Sequence, residues 1–388
     1  MINGGPVIDA DGHVLEPADT WQKFIEPKYR DRAMRIEKDA DGLEMLLIDG
    51  RSHKRVHGKM GLTSGAVGLR DQMEKLWTPG AVTYEQVLVP GGYDPAARIK
   101  VLDEEQIDIV MLYPTLGLFW EGHVTDPLLA DAYSRAYNRY IVDFCSYNRK
   151  RLVPVAHITL RDPELAVTEV QRARKDGCMA VYLSPEPLSR GGRRLDDPVY
   201  ARFFDTVSDM NMPIGFHVTV REDEQLLFAD YLKGGHSENN DLLLPTAVMM
   251  ECMLAFTQLI SAGTLERHPK LKVAVLETGS NWLSSWLERM DHKYEAMLAT
   301  RSKPILKLLP SQYFERQCVI SADPDETMTS GVVERFGAER VIWASDYPHL
   351  DASMNVLGIL REQIKDFPAE TQRKIVGESA ANFYGLAA

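Results

Sequence analysis

Cysteine is scarce and scattered. The chain of 388 residues has four, Cys145, Cys178, Cys252 and Cys318, and none forms a Cys-x-x-Cys pair. That spacing excludes a disulfide frame and a structural zinc knot, and reads as buried thiols of a reducing compartment. Positive charge is also in deficit. Lys and Arg number 44 against 56 Asp and Glu, a formal net charge of −12. Nucleic acid and anionic membrane surfaces are poor partners for such a chain. No run of like charge is long enough for an interaction tail. No apolar run approaches the roughly 20 residues of a membrane span. The basic-then-apolar pattern of a secretory leader is missing at the N-terminus, where a strand-like run starts at Val7. The expectation is a cytoplasmic protein acting on a small molecule. A glycine-rich turn after the first apolar run is lacking too, and a doubly wound nucleotide-binding sheet would want one.

What is present is a repeated alternation. Hydrophobic residues make up 45% of the chain, ample for a packed core. Eight short apolar runs stand out, at 7–13, 107–115, 152–157, 179–183, 213–217, 273–276, 318–320 and 341–344. Most are separated by helical patterns. Four of those helices open on an Asp-Pro pair: Asp94-Pro95, Asp126-Pro127, Asp162-Pro163 and Asp197-Pro198. Aspartate caps a helix N-terminus and proline suits its first turn. Strand–helix alternation predicts a parallel sheet, and eight units predict an α/β fold of the (β/α)8 TIM-type barrel. The chain then reads as one barrel domain, 1–388, with a cap inserted after strand one at about 18–92. Within the cap, Arg51, His53, Lys54, Arg55, His57 and Lys59 form a basic patch, either a solvated face or a hold for an anionic substrate. A helix at about 245–262 is apolar almost all round, which marks a buried helix. It reads as the interface of a homo-oligomer, a dimer, or else as an outer barrel helix.

In such a barrel the chemistry sits at the C-terminal ends of the strands. Those ends carry Asp11 and His13, His157, Ser184 and Glu186, His217, Glu277, Ser321 and Asp323, and Asp346 with His349. Asp11 and His13, two apart on a strand, share a face and make half a metal site. Alone, the pair fits an Asx turn as well. Jointly, charges converging on one axis would repel and lose solvation, a cost that a divalent cation removes. His123, His236, His268 and His292 read as solvent-facing or helix-capping. Arg190, Arg193 and Arg194 read as a carboxylate clamp or a solvated face. Trp282, Trp286 and Met290 fall on one core-like helical stripe.

The stretches 7–13, Ile214-Gly215-Phe216-His217 and Ala344-Ser345-Asp346-Tyr347-Pro348-His349 resemble the amidohydrolase superfamily. Within it they resemble the branch of aminocarboxymuconate-semialdehyde decarboxylase and related aromatic-acid decarboxylases. The resemblance covers nearly the whole chain, the cap least. It implies that Asp11, His13, His217 and Asp346 bind a catalytic metal. The chain departs from the family at three points. Asp11-x-His13 stands where many members have His-x-His. Ser184 stands where two-metal members carry a bridging lysine. Glu277 stands where the family places an acid/base histidine.

Two imidazoles and two carboxylates suit Zn, Mn or Fe, one ion per chain, or two if Glu277 also ligates. Glu277 reads as a proton shuttle, a ligand, or a salt-bridged support. Asp346 is a ligand and general base, and His349 a hydrogen-bond partner or a ligand. The expected activity is metal-dependent hydrolysis of a small carboxylated or cyclic substrate. The alternatives are non-oxidative decarboxylation of an aromatic or enoic acid, oxygen chemistry at a dinuclear Mn/Fe site, or an inactive barrel serving in a hetero-oligomer.

Overall fold

A computed structural model describes residues 4–63, 67–232, 242–298, 304–327, 329–350 and 352–387. The eight apolar runs are the strands of one parallel sheet. In chain order the strands are β1 (Ile8–His13), β5 (Ile109–Tyr113), β6 (Leu152–His157), β7 (Ala180–Leu183), β8 (Ile214–Phe216), β9 (Val273–Val275), β10 (Cys318–Ala322) and β11 (Val341–Trp343). Each is hydrogen-bonded to the next in that order. All are buried along their length, as expected of strands covered on both faces.

The ring closes at the rim beyond β11. Asp346 N donates to Asp11 O at 3.0 Å, and His13 N donates to Tyr347 O at 2.8 Å. These two bonds bring strand one and the chain after strand eight together. The fold is the (β/α)8 barrel that the alternation predicts. All four aspartate caps form, each side chain accepting from a backbone N–H in the first turn of its helix.

Residues between β1 and β5 lay down a small antiparallel sheet, β2 (Arg35–Lys38), β3 (Glu44–Ile48) and β4 (Arg51–Ser52). This inserted segment is tied to the barrel rim. Tyr84 Oη donates to Glu16 O, Val67 N to Pro348 O, and Leu15 N to Gly92 O. Its basic run is not uniformly a solvated face, because His53 is fully buried.

The helical stretch Leu243–Ser261 is 19 residues long and apolar enough to cross a membrane by length and composition. This differs from the expectation that no apolar run reaches such a length. In the structure the helix Met249–Ser261 packs on β8, β9 and the helix Pro310–Gln317. Its Glu251 is buried in an ion pair with Arg221 of the barrel rim. Most of its apolar side covers the barrel, and its outward-facing large apolar residues are Met250 and Leu254.

Candidate metal centre

Strand β1 is irregular where it matters. Its register against β5 shifts between Asp9 and Gly12, a bulge of the kind that re-aims side chains at a barrel rim. Gly12 makes the bulge feasible. A Cβ there would lie 2.7 Å from both Arg98 Nη2 and Val110 Cγ2. Asp11 within the bulge and His13 just past it point to the mouth and are buried.

Each histidine is held by its far nitrogen. His13 Nδ1 donates to Pro114 O at 2.8 Å, and His217 Nδ1 donates to Val218 O at 2.8 Å. Both rings carry a proton on Nδ1, and neutral rings would offer lone pairs from their Nε2 atoms. They face each other at 3.1 Å. A hydrogen bond between them would need one ring to be an imidazolium. Burial, and then the neighbouring His13, push the His217 pKa down to about 3. His217 Nε2 is therefore a lone pair aimed at His13 Nε2 and the carboxylates around it.

Carboxylates complete the ring of acceptors. His13 Nε2 lies 3.2 Å from Asp346 Oδ1 and 3.5 Å from Asp11 Oδ1. His217 Nε2 lies 3.5 Å from Asp11 Oδ2 and 3.1 Å from Glu277 Oε2. Metal bonds of about 2.1 Å give donor–donor edges of roughly 3.0–3.4 Å in octahedral or tetrahedral shells. The observed separations are of that size. Asp11 Oδ1, though buried, has no hydrogen-bond partner among the described residues. Burial raises the Asp11 carboxyl well above its usual range, and the charges of Asp346, Asp9 and Asp323 push it the same way. A divalent cation among these groups would reverse each of those costs, so the donor set fits one.

Two of the acids sit on unusual backbone. Glu277 (φ 50°) and Asp346 (φ 53°) both adopt the left-handed region that residues other than glycine seldom occupy. Strain of this kind concentrates at functional sites, where surrounding bonds hold it. Here Ser321 Oγ accepts from Glu277 N, and Asp11 O accepts from Asp346 N. His349 supports Asp346 from the side. His349 Nε2 shares a hydrogen bond with Thr115 Oγ1 at 2.9 Å, and His349 Nδ1 donates to Asp346 Oδ1 at 2.7 Å.

Two fastening residues escape a motif-based reading. Asp9 is buried and accepts from Ser345 N and Oγ, sewing β1 to the segment that carries Asp346. Arg98 is fully buried and donates to His13 O, Gly91 O and Tyr347 O. The alternation Asp9-x-Asp11-x-His13 carries a signal for the first. Nothing marks the second except an arginine on the buried face of its helix.

Other strand-end residues stay out of the cluster. His157 is core: its Nε2 reaches Glu121 at 2.8 Å and its ring stacks on Trp120. Ser184 donates to Glu186 at 2.7 Å, and both are buried beside Arg221. Arg190 is neither clamp nor solvated face. It is buried and donates to the carbonyls of Ser184, Pro185, Glu186 and Arg193, bracing its own loop. His123 is buried rather than solvent-facing. His268 pairs with Asp205, His292 is exposed, and His236 lies outside the described residues.

A cavity of about 500 Å3 opens over Glu277 and Asp346. Val218, Val248, Met249 and Trp282 give it apolar walls, and Asp323, Asp325 and Glu326 add carboxylates. Trp282 thus lines the cavity as well as packing on the core.

A family model described as amidohydrolase matches residues 122–386. A 2-amino-3-carboxymuconate-6-semialdehyde decarboxylase from Dictyostelium discoideum is 25% identical over 299 residues, 76% of this chain and 77% of the relative. Among solved structures, an amidohydrolase from Mycobacterium avium subsp. paratuberculosis superposes with a TM-score of 0.80 at 22% identity, covering 98% of this chain and 100% of that one. A manganese complex of 5-carboxyvanillate decarboxylase from Novosphingobium aromaticivorans gives 0.68 at 19% identity, covering 99% and 97%. The chain belongs to the amidohydrolase family, in the branch that resembles aminocarboxymuconate-semialdehyde decarboxylase.

Proposed function

We propose that this chain is a metal-dependent, non-oxidative decarboxylase of a small aromatic or enoic acid, with Asp11, His13, His217 and Asp346 holding one divalent ion. The observation that carries the metal is the pair of buried imidazoles whose Nε2 atoms face each other at 3.1 Å inside a ring of carboxylates. What favours decarboxylation over the hydrolysis placed first on sequence grounds is the similarity in sequence to a decarboxylase. A manganese-containing decarboxylase of the same fold adds to it. Carboxylate-rich donors also lean toward manganese or iron over zinc.

When bound, the ion would supply Lewis acidity to a substrate carboxylate and lower the pKa of a coordinated water. The rest falls to the protein. Loss of carbon dioxide replaces a carbon–carboxylate bond by a carbon–hydrogen bond, so a proton must be delivered to that carbon. Glu277 and Asp346 both line the cavity, and either can carry it. Asp346 is oriented for that task by His349 and Thr115. Val218, Met249 and Trp282 would seat an apolar ring and keep water from it.

Carbon dioxide release from a panel of hydroxylated aromatic and unsaturated acids, with manganese- or zinc-loaded protein, tests the reading. Release from at least one acid, with the matching decarboxylated product, supports it. Hydrolysis of an ester, lactone or amide with no carbon dioxide from any acid would return the chain to the hydrolase reading. Two observations favour that second reading. Glu277 stands where a histidine is expected, and the cavity's charged wall is acidic throughout.

A further inference from the structure

A second histidine–carboxylate cluster lies under the inserted segment. His53 follows β4, His123 lies in the loop after β5, and Glu222 lies in the loop after β8. All three are buried, at 0%, 7% and 4% exposure. None of them lines the cavity over Glu277 and Asp346. Glu222 Oε1 is 3.9 Å from His53 Nδ1 and 3.7 Å from His123 Nε2. One donor atom from each residue falls within 4.8 Å of the others.

Three of the four ring nitrogens are buried without a hydrogen-bond partner among the described residues. They are both nitrogens of His53 and Nε2 of His123. Buried polar atoms in folded proteins are nearly always satisfied, so the two such nitrogens that face the Glu222 carboxylate, His53 Nδ1 and His123 Nε2, call for an occupant. Protonation does not supply it. Burial, then His123 and Arg55, lower the His53 pKa to about 3, and burial with Arg51 lowers that of His123. The surrounding cations are already engaged. Arg55 pairs with Asp223, Lys54 with Glu224, and Arg51 donates to His123 O. Glu222 itself is held by the Lys54 N–H at 2.7 Å.

We propose that His53, His123 and Glu222 form a second divalent-cation site, which ties the inserted segment to two loops of the barrel rim. Two imidazoles and one carboxylate make a three-ligand set suited to zinc, with a coordination position left for water. Bonds of about 2.0–2.2 Å would bring nitrogen and oxygen to roughly 3.4 Å apart. The observed 3.7 and 3.9 Å therefore need to close by only a few tenths of an ångström. The ion is structural. It joins three stretches of chain far apart in sequence and holds the segment against the rim. This site stands or falls independently of the ion at the barrel mouth.

The test uses the full chain with the mouth site disabled by His217→Ala. Stripped of metal and reloaded with zinc or cobalt, that variant should retain one equivalent by elemental analysis. Cobalt should give the visible absorption of a four-coordinate ion, and zinc should raise Tm. Adding His123→Ala should remove the equivalent, the absorption and the Tm shift together. Glu222→Gln, which keeps the side-chain shape, serves as the second variant if the alanine change unfolds the protein. A His217→Ala protein that binds no metal would overturn the proposal. So would a folded double variant that keeps its equivalent, since the ion would then be elsewhere.

Discussion

The two histidine–carboxylate clusters use the same residue types and are built differently. At the barrel mouth each imidazole is pinned by an Nδ1–H to a backbone carbonyl, and its Nε2 is already at ligand spacing from its neighbours. Under the inserted segment the rings are positioned by packing alone, His53 edge-on to Phe119 and 4.9 Å from the His123 ring. Strand ends with a hydrogen-bonded supporting layer give a preorganised site. Loops give a site that must contract around its ion. The mouth should therefore bind metal more tightly, and the loop cluster should lose it first to a chelator.

Substitutions can break or sharpen that contrast. The largest effect belongs to His217→Ala, which removes a proposed ligand. Turnover should fall by more than the ~10–100-fold that loss of a supporting hydrogen bond costs. The mouth ion should be lost while the loop cluster keeps its own. Next is Glu277→Gln. As a proton carrier it should cost on the order of 10²–10⁴-fold in kcat with metal content unchanged. Loss of metal would instead make Glu277 a ligand. His349→Phe should cost about 10–100-fold, through a misdirected Asp346, with the metal retained at weaker affinity.

The smallest effect belongs to an ion-paired tie between segment and barrel. Burial raises the Glu26 carboxyl, but hydrogen bonds from Arg135 and Arg139 outweigh it and bring the pKa to about 2. The folded form then binds fewer protons than the unfolded chain between about pH 4.5 and 2. Its contribution is fully present above that window and lost as pH falls through it. At neutral pH Glu26→Gln should lower stability by about 1 kcal/mol, because the pair is partly exposed and screened. The difference from wild type, followed by urea denaturation, should shrink toward pH 2.

The contrast also explains what the sequence revealed. Barrel strands are short apolar runs, and four of the helices between them begin at Asp-Pro, so the architecture could be read directly. Asp11, His13, His217, Glu277 and Asp346 were legible because each follows or ends such a run, and strand ends of a barrel share one rim. His53 lies in a basic stretch that resembles a solvated face, and its partners are in two distant loops. No local pattern links them. Arg190 misleads for a related reason. A buried arginine that satisfies four carbonyls of its own loop has the same sequence signature as one facing water. The stretch Leu243–Ser261 shows the reverse, an apolar helix whose buried Glu251 is accounted for only once Arg221 is seen beside it.

Anomalous scattering from a crystal grown with manganese, recorded at an energy where the metal scatters strongly, tests the central claim most directly. The account predicts a peak between the two facing imidazoles, about 2.0–2.2 Å from His13 Nε2, His217 Nε2 and oxygens of Asp11 and Asp346. A map with no peak there, in which the rings instead hydrogen-bond to each other or to water, would contradict it.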